Sequence, residues 1–331
     1  MNAVTRLDDA ELDELLQRYD LGQISACSLA ANGIENSNYF ITVDSLDPLP
    51  VSRDFVLTII EQPSNSGGRA YVELLDACER AGLPTPGVVR NAAGQSYETL
   101  NNKPVLLCRR LRGQHVLNPT LAQTAAIGRF LARFHLRTSH LASYLPAYPR
   151  SEQWLDDSLE AIKAWASYQH YVQAADAITS VRSMLARDDV QALPRSVIHA
   201  DLFRDNALFN SAGLTGVLDF HHAATGYCLF DLAVVANDWC SDTEGRLDPD
   251  RMLMLLRGYH QIRPLQAQEL WFLSLFTLYA GLSFYLSRAQ TAAAMARSQS
   301  GHSARSKNPD EFARIVRQRL AHAFYLDPRL L

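Results

Sequence analysis

The segment His199-Ala200-Asp201-Leu202-Phe203-Arg204-Asp205-Asn206 fits the pattern H-x-D-x-x-x-x-N, and a second aspartate follows in Leu218-Asp219-Phe220. Residue types at this spacing suit phosphoryl transfer, in which one carboxylate orients an attacking hydroxyl and other oxygens hold magnesium against the phosphates. Asp201 fits the first role, Asn206 and Asp219 the second. Because the transition state is largely dissociative, Asp201 has mainly to place the hydroxyl in line, and its pKa need not be unusual. Asp and Asn are also ordinary turn residues. Here, however, the loop follows a strand, the second Asp ends the next strand, and Asp231-Leu232-Ala233 opens an apolar helix. Asp231 itself reads as a structural cap.

Elements on both sides must position these residues. Leu7, Leu12, Leu15, Leu16 and Tyr19 recur at helical spacing and predict an amphipathic first helix closed by Gly22. Short β-branched and aromatic runs at 38–43 and 55–60 predict paired antiparallel strands, followed by a helix over 70–81 and a strand over 104–110. Asn118-Pro119 opens a helix through Leu136, and 152–187 is mostly helical. Strands at 196–200 and 214–220 flank the polar loop. The apolar run 271–286 is shorter than the roughly 20 residues of a membrane span and reads as a buried core helix. The Ala-, Ser-, Gln- and Arg-rich stretch 289–308 reads as mobile. The result is an α+β chain of two domains: a nucleotide-binding lobe over 1–112, small and rich in antiparallel β, and a larger, mainly helical catalytic and substrate-binding lobe over 113–331.

Composition narrows the field. The chain has 331 residues, 47% of them hydrophobic, which is room for two cores. A net charge of -4, with no basic run, excludes a general polyanion binder, so no nucleic-acid partner is expected. Five scattered cysteines without a C-x-x-C pair argue against a disulfide framework or zinc site and for a reducing, cytoplasmic setting. The N-terminus lacks the basic patch and apolar core of a signal peptide, and no membrane association is expected. There is no G-x-S-x-G, no H-E-x-x-H, and no G-x-G-x-x-G after a strand.

Four segments in the same order make the chain resemble the aminoglycoside-phosphotransferase and choline-kinase superfamily and, within it, the homoserine kinase family. They are Gly33-Ile34-Glu35-Asn36-Ser37-Asn38-Tyr39-Phe40, the loop at 199–206, the stretch 227–240 ending in Asn237-Asp238-Trp239-Cys240, and Lys307-Asn308-Pro309-Asp310-Glu311-Phe312. The resemblance implies a bilobal, protein-kinase-like fold, ATP and Mg2+ as cofactors, and transfer of the γ-phosphate to the side-chain hydroxyl of L-homoserine for threonine synthesis. It further implies Asp201 as catalytic base and Asn206 and Asp219 as magnesium ligands. Gly33, Glu35, Asn36, Ser37 and Asn38 would form the turn whose backbone N–H groups cradle the phosphates.

Two departures matter. Thr58 stands where kinases carry a strand Lys or Arg, which leaves Glu73 either its partner acid or a solvated one; Arg109, on the strand at 104–110, is assigned to the nucleotide side. Phe203 and Arg204 replace the His or Lys followed by Pro of many relatives. Arg204 then either carries charge to the phosphate or the acceptor, or pairs with Asp205 or another acid.

Homoserine is a zwitterion, so its carboxylate needs a cation, from Arg204, Arg305 or Lys307, and its ammonium an acid, from Asp238 or Glu35. His221 and His222 are placed on the acceptor side, and Lys307 in a lid formed by its mobile segment. Sister kinases of choline, ethanolamine, methylthioribose, hydroxylysine or aminoglycosides remain open, as does a non-catalytic nucleotide-binding protein. The sequence specifies no oligomeric state.

Overall fold

Alternating apolar residues set the first sheet, because side chains two apart in a strand share a face. In the computed structural model, which describes residues 5–30, 36–44, 54–61, 67–298 and 307–331, five strands form one antiparallel sheet. They are β1 (Gln23–Leu29), β2 (Ser37–Asp44), β3 (Asp54–Ile59), β4 (Glu98–Leu100) and β5 (Lys103–Arg109), in the order β1-β2-β3-β5-β4. Tyr39, Ile41, Val43, Phe55, Leu57, Ile59, Val105 and Leu107 pack with Leu12, Leu15 and Leu16 of helix α1 (Asp9–Leu16). A capping box between Asp8 and Glu11 starts that helix. Helix α2 (Gly67–Arg80) precedes Gly82, whose φ of 67° suits a glycine just past a helix end.

The strands expected at 38–43, 55–60 and 104–110 are present, whereas β1 was not anticipated. Its sequence Gln-Ile-Ser-Ala-Cys-Ser-Leu is small and polar, and nearly every residue is exposed on this edge strand, so no alternation marks it.

The N-terminal segment is locked to the sheet by Glu61, just beyond β3. Its carboxylate accepts from Lys103 Nζ at 2.5 Å, Thr5 N at 2.8 Å, Thr5 Oγ1 at 3.0 Å and the Ser37 hydroxyl. Burial pushes this carboxyl up, but Lys103, Ser37 and Thr5 outweigh it and hold the pKa down to about 2.

The remaining elements are α3 (Leu121–Thr138), α4 (Glu152–Ile162), α5 (Tyr168–Leu185), α6 (Asp188–Gln191), β6 (Arg195–Ile198), β7 (Ala207–Asn210), β8 (Gly213–Val217), β9 (Ala224–Tyr227), α7 (Cys228–Trp239), α8 (Pro249–His260), α9 (Ala267–Ser298) and α10 (Pro309–Ala321). Contacts divide the chain into two units. One comprises Met1–Gln114 with Leu208–Asn210 and Thr215–His221; the other comprises His115–Ala207, Ser211–Leu214 and His222–Leu331.

Three expectations are adjusted. Helix α3 begins at Leu121, not at Asn118-Pro119, because Thr120 and Gln123 form the capping box. The core helix expected at 271–286 extends to Ser298, since its Ala-rich end has high helix propensity; the reading of 289–298 as mobile is therefore corrected, while 299–306 lie outside the described residues. Helix α9 has the length and composition to cross a membrane, but 83% of its apolar window is buried within the protein. Finally, the two strands expected to flank the loop are present as β6 and β8, but each has a partner that was not expected: β6 pairs with β9, and β8 pairs with the four-residue β7, too short to be read from its pattern.

Helices α3 and α8 meet backbone to backbone. A methyl group at Gly128 would overlap the Leu255 carbonyl, and one at Gly258 would overlap the Ala125 carbonyl. Gly128→Ala should therefore destabilise the protein by about 1–3 kcal/mol or more, read from denaturant unfolding. Glu61 has a depressed folded pKa, so its contribution is complete above pH 4.5 and is lost as pH falls toward 2. Glu61→Gln should lower stability at neutral pH and flatten the acid limb of the stability–pH curve in that window.

Candidate active site

Strand β6 runs buried through Val197 and Ile198, and the chain then turns sharply at Ala200, which has φ = 64°. A non-glycine residue in this region costs of order 1–3 kcal/mol unless its surroundings impose it. Asp231 does so. Its buried carboxylate accepts from His199 N at 2.7 Å and Ala200 N at 2.8 Å. His135 on α3 bonds the same carboxylate through Nε2 at 3.0 Å, its Nδ1 lies 2.7 Å from the Tyr259 hydroxyl on α8, and Ser196 Oγ donates to the His135 carbonyl at 2.7 Å. Burial disfavours charge on His135, but Tyr259, Cys228 and Asp231 hold the imidazole well above its ordinary range.

The reading of Asp231 as a helix cap is thus corrected: α7 has no side-chain cap, and this carboxylate clamps the loop at 199–206 instead. His135 and Tyr259 were missed. The only available signal was a histidine on the apolar face of a helix, and such residues are common.

Past the turn, the loop folds on itself. Phe203 N donates to the Asp201 carbonyl at 2.8 Å, and Asn206 N to the Phe203 carbonyl at 3.0 Å. Asn206 Nδ2 donates to the Asp201 carbonyl at 2.8 Å and to its carboxylate at 3.1 Å. One carboxamide therefore fixes Asp201 with its nitrogen and offers a hard oxygen with its other end.

The motif Asn237-Asp238-Trp239 serves the same loop. Trp239 Nε1 donates to the Leu202 carbonyl at 3.1 Å. Asp238 receives Arg204 through its backbone N at 2.7 Å, Nε at 3.1 Å and Nη2 at 3.2 Å, while Arg204 Nη1 donates to the Leu117 carbonyl at 2.5 Å. Arg204 and Asp238, two expected substrate contacts, are thus bonded to each other. Burial works against the Arg204 charge, but Asp238 holds it above its ordinary value.

Asn237 accepts from Arg319 Nε at 3.1 Å, and Arg319 also reaches the Gly245 carbonyl and Ser241, which fastens α10. Lys307 lies just before that helix. Its Nζ bonds Asp205 at 2.9 Å and sits 5.4 Å from the Phe203 ring centre. Burial opposes the Lys307 charge, while Asp205, with Asp201 adding, holds it above the ordinary value.

In the other unit, Asp219 follows β8 with φ = 62°, and its Oδ1 is buried without a hydrogen-bond partner. An orphaned carboxylate oxygen is costly unless a cation or donor completes it, and it suits the oxygen chemistry magnesium takes. His221 stacks on Tyr71 of α2 with ring centres 4.5 Å apart and planes 4° apart; His222 is exposed.

Asn38 accepts from Thr58 Oγ1 at 2.7 Å, whereas Asn36 Oδ1 and Ser37 are joined to Glu61. Strand alternation sets Arg109, opposite Phe55, on the other face from Thr58, and Arg109 bonds Glu79 at 3.2 Å. Glu73 bonds Arg69 of its own helix at 2.9 Å. Gly33, Glu35 and Arg305 lie outside the described residues.

Comparison with known proteins matches this arrangement to a class. Residues 26–265 match the phosphotransferase enzyme family. Amicoumacin kinase hAmiN, solved in complex with AMP-PNP, Ca2+ and Ami, shares the fold with a TM-score of 0.66 at 17% identity, covering 95% of this chain and 92% of that one. The homoserine kinase of Pseudomonas aeruginosa strain PAO1 is 34% identical over 319 residues, 96% of either chain, and that of Polaromonas naphthalenivorans is 32% identical over 332 residues, covering 98% of this chain and all of its own. The chain belongs to the homoserine kinase family of these phosphotransferases.

Removing the clamp tests the loop's design. Asp231→Ala orphans two buried N–H groups and the His135 imidazole, so stability should fall by about 3–5 kcal/mol in denaturant unfolding, and turnover should fall with it.

Proposed function

We propose that the protein transfers the γ-phosphoryl group of ATP to the side-chain hydroxyl of L-homoserine, giving O-phospho-L-homoserine for threonine synthesis. The observation that carries this reading is the Asp201 carboxylate, fixed by Asn206 at 3.1 Å inside a loop whose backbone Asp231 clamps. Full-length similarity to homoserine kinases supports the choice of acceptor.

Asp201 accepts a hydrogen bond from the acceptor hydroxyl, aligns it, and takes up its proton as the new P–O bond forms. Lys307, beside Asp205 and Phe203, adds positive charge next to Asp201. Asn206 and Asp219 are the oxygen donors suited to Mg2+, which when bound neutralises charge on the phosphate oxygens. The Asn38–Thr58 pair occupies the strand position where kinases carry a cation, so phosphate contacts in the first unit are assigned to backbone N–H groups. Five free thiols, four of them buried, fit a cytoplasmic setting; burial pushes Cys78 and Cys108 up to about 12.

A panel of homoserine, choline, ethanolamine, hydroxylysine, methylthioribose and an aminoglycoside, with ADP release as readout, tests the acceptor. Homoserine should exceed each of the others by orders of magnitude, and another acceptor in first place would reject it. Asp201→Asn should lower kcat by roughly 10³-fold while ATP affinity stays within a few-fold of wild type, measured by calorimetry.

A further inference from the structure

A selective homoserine pocket needs a cation for the α-carboxylate. Two of the expected candidates, Arg204 and Lys307, are already bonded to Asp238 and Asp205. A third described cation is held differently. Arg150, just before α4, lies between two aromatic faces, its guanidinium carbon 5.4 Å from the Trp154 ring centre and 4.5 Å from that of Phe284. Among the described residues it has no carboxylate partner. Its Nη2 makes only a long contact of 3.4 Å to Ser287 Oγ, and Nη1 is buried with no hydrogen-bond partner. Its backbone is fixed by the Tyr279 hydroxyl, which donates to the Arg150 carbonyl at 2.7 Å.

Two neighbours complete the cluster. Tyr148 Oη and Ser283 Oγ are buried, neither makes a hydrogen bond of good geometry, and Ser283 is fully buried. Burial pushes the Tyr148 phenol up to about 12; the Arg150 charge and loose contacts with Ser283 and Arg150 work against that rise, and the Asp201 charge adds to it. The Phe284 ring that carries Arg150 also packs against Phe203, two residues past Asp201, at 4.7 Å. A buried guanidinium N–H and two buried hydroxyls, in loose contact with one another and without a well-formed hydrogen bond, thus collect beside the loop at 199–206.

We propose that Arg150, with the hydroxyls of Tyr148 and Ser283, forms the subsite for the α-carboxylate of the acceptor amino acid. The inference rests on the homoserine reading above and adds the residues that enforce it. Leaving buried donors unpaired is costly, and for a charged one more so. A carboxylate removes that cost, since its two oxygens match a guanidinium fork, and the flanking rings have already oriented this fork. Homoserine carries its carboxylate three carbons from its hydroxyl, so one molecule can engage Arg150 at one end and Asp201 at the other. Acceptors that lack a carboxylate leave the fork unpaired, which is how a buried polar site rejects an analogue.

The test compares homoserine with 3-amino-1-propanol, which is homoserine without its carboxylate. In Arg150→Gln, the ratio of kcat/KM for homoserine to that for aminopropanol should fall by about 100-fold or more, with KM for ATP unchanged, and Arg150→Lys should recover part of it. A structural role alone would lower both acceptors equally, and that result, or an unchanged ratio, overturns the subsite. Should Arg150→Gln fail to fold, Tyr148→Phe and Ser283→Ala decide the matter: each should raise KM for homoserine roughly tenfold and leave aminopropanol unaffected, and no change in either overturns the proposal. If the wild-type protein were silent on homoserine, the acceptor reading itself would fail. Activity on homoserine with an insensitive ratio would remove only the subsite.

Discussion

One carboxylate with two backbone donors holds the loop at 199–206 in place. Asp231 accepts from His199 and Ala200 at 2.7 and 2.8 Å, and those bonds fix the chain where it enters a conformation an alanine avoids when unsupported. The direction in which Asp201 leaves the turn follows from that clamp. Asp231 is in turn oriented by His135 on α3, and His135 touches Tyr259 on α8. The Asp201 carboxylate is therefore placed through a buried polar network that spans three helices. Such networks specify one arrangement when every member is satisfied and are costly when one is removed.

The motif between 237 and 239 shows how economically a short stretch can serve a site. Asn237 secures α10 through Arg319, Asp238 binds both the backbone and the guanidinium of Arg204, and Trp239 donates to the Leu202 carbonyl. Arg204 and Asp238 hold the loop to α7. The cationic and aromatic groups near Asp201 are Phe203 of the loop itself and Lys307 and Phe284, which are delivered from the last third of the chain.

Legibility in the sequence followed the nature of each signal. The Asp201–Asn206 relation was readable because spacing within one loop survives folding, and β2, β3 and β5 were readable because one buried face imposes alternation. β1 was invisible because an exposed edge strand of small polar residues carries no such alternation. Asp231 was assigned the wrong task because a carboxylate in the first turn of a helix usually serves that helix, and only tertiary structure brings residues 199 and 200 against it. The Ala-rich end of α9 shows the reverse error, since a composition weak for a core is strong for a helix. Arg150 gave no local signal: its distinction is a buried guanidinium nitrogen with no hydrogen bond of good geometry, which no sequence records.

The crossing of α3 and α8 carries a wider consequence. At Gly128 and Gly258 the helices touch through main-chain atoms, and these are the two helices that bear His135 and Tyr259. Side chains elsewhere in the interior can drift in size over evolutionary time and shift their neighbours by fractions of an ångström. Peptide groups are common to every residue, so a spacing set by them at two glycines does not depend on side-chain volume. The separation of His135 and Tyr259 behind Asp201 thus depends on main-chain contact and not on the size of any interior side chain at the crossing.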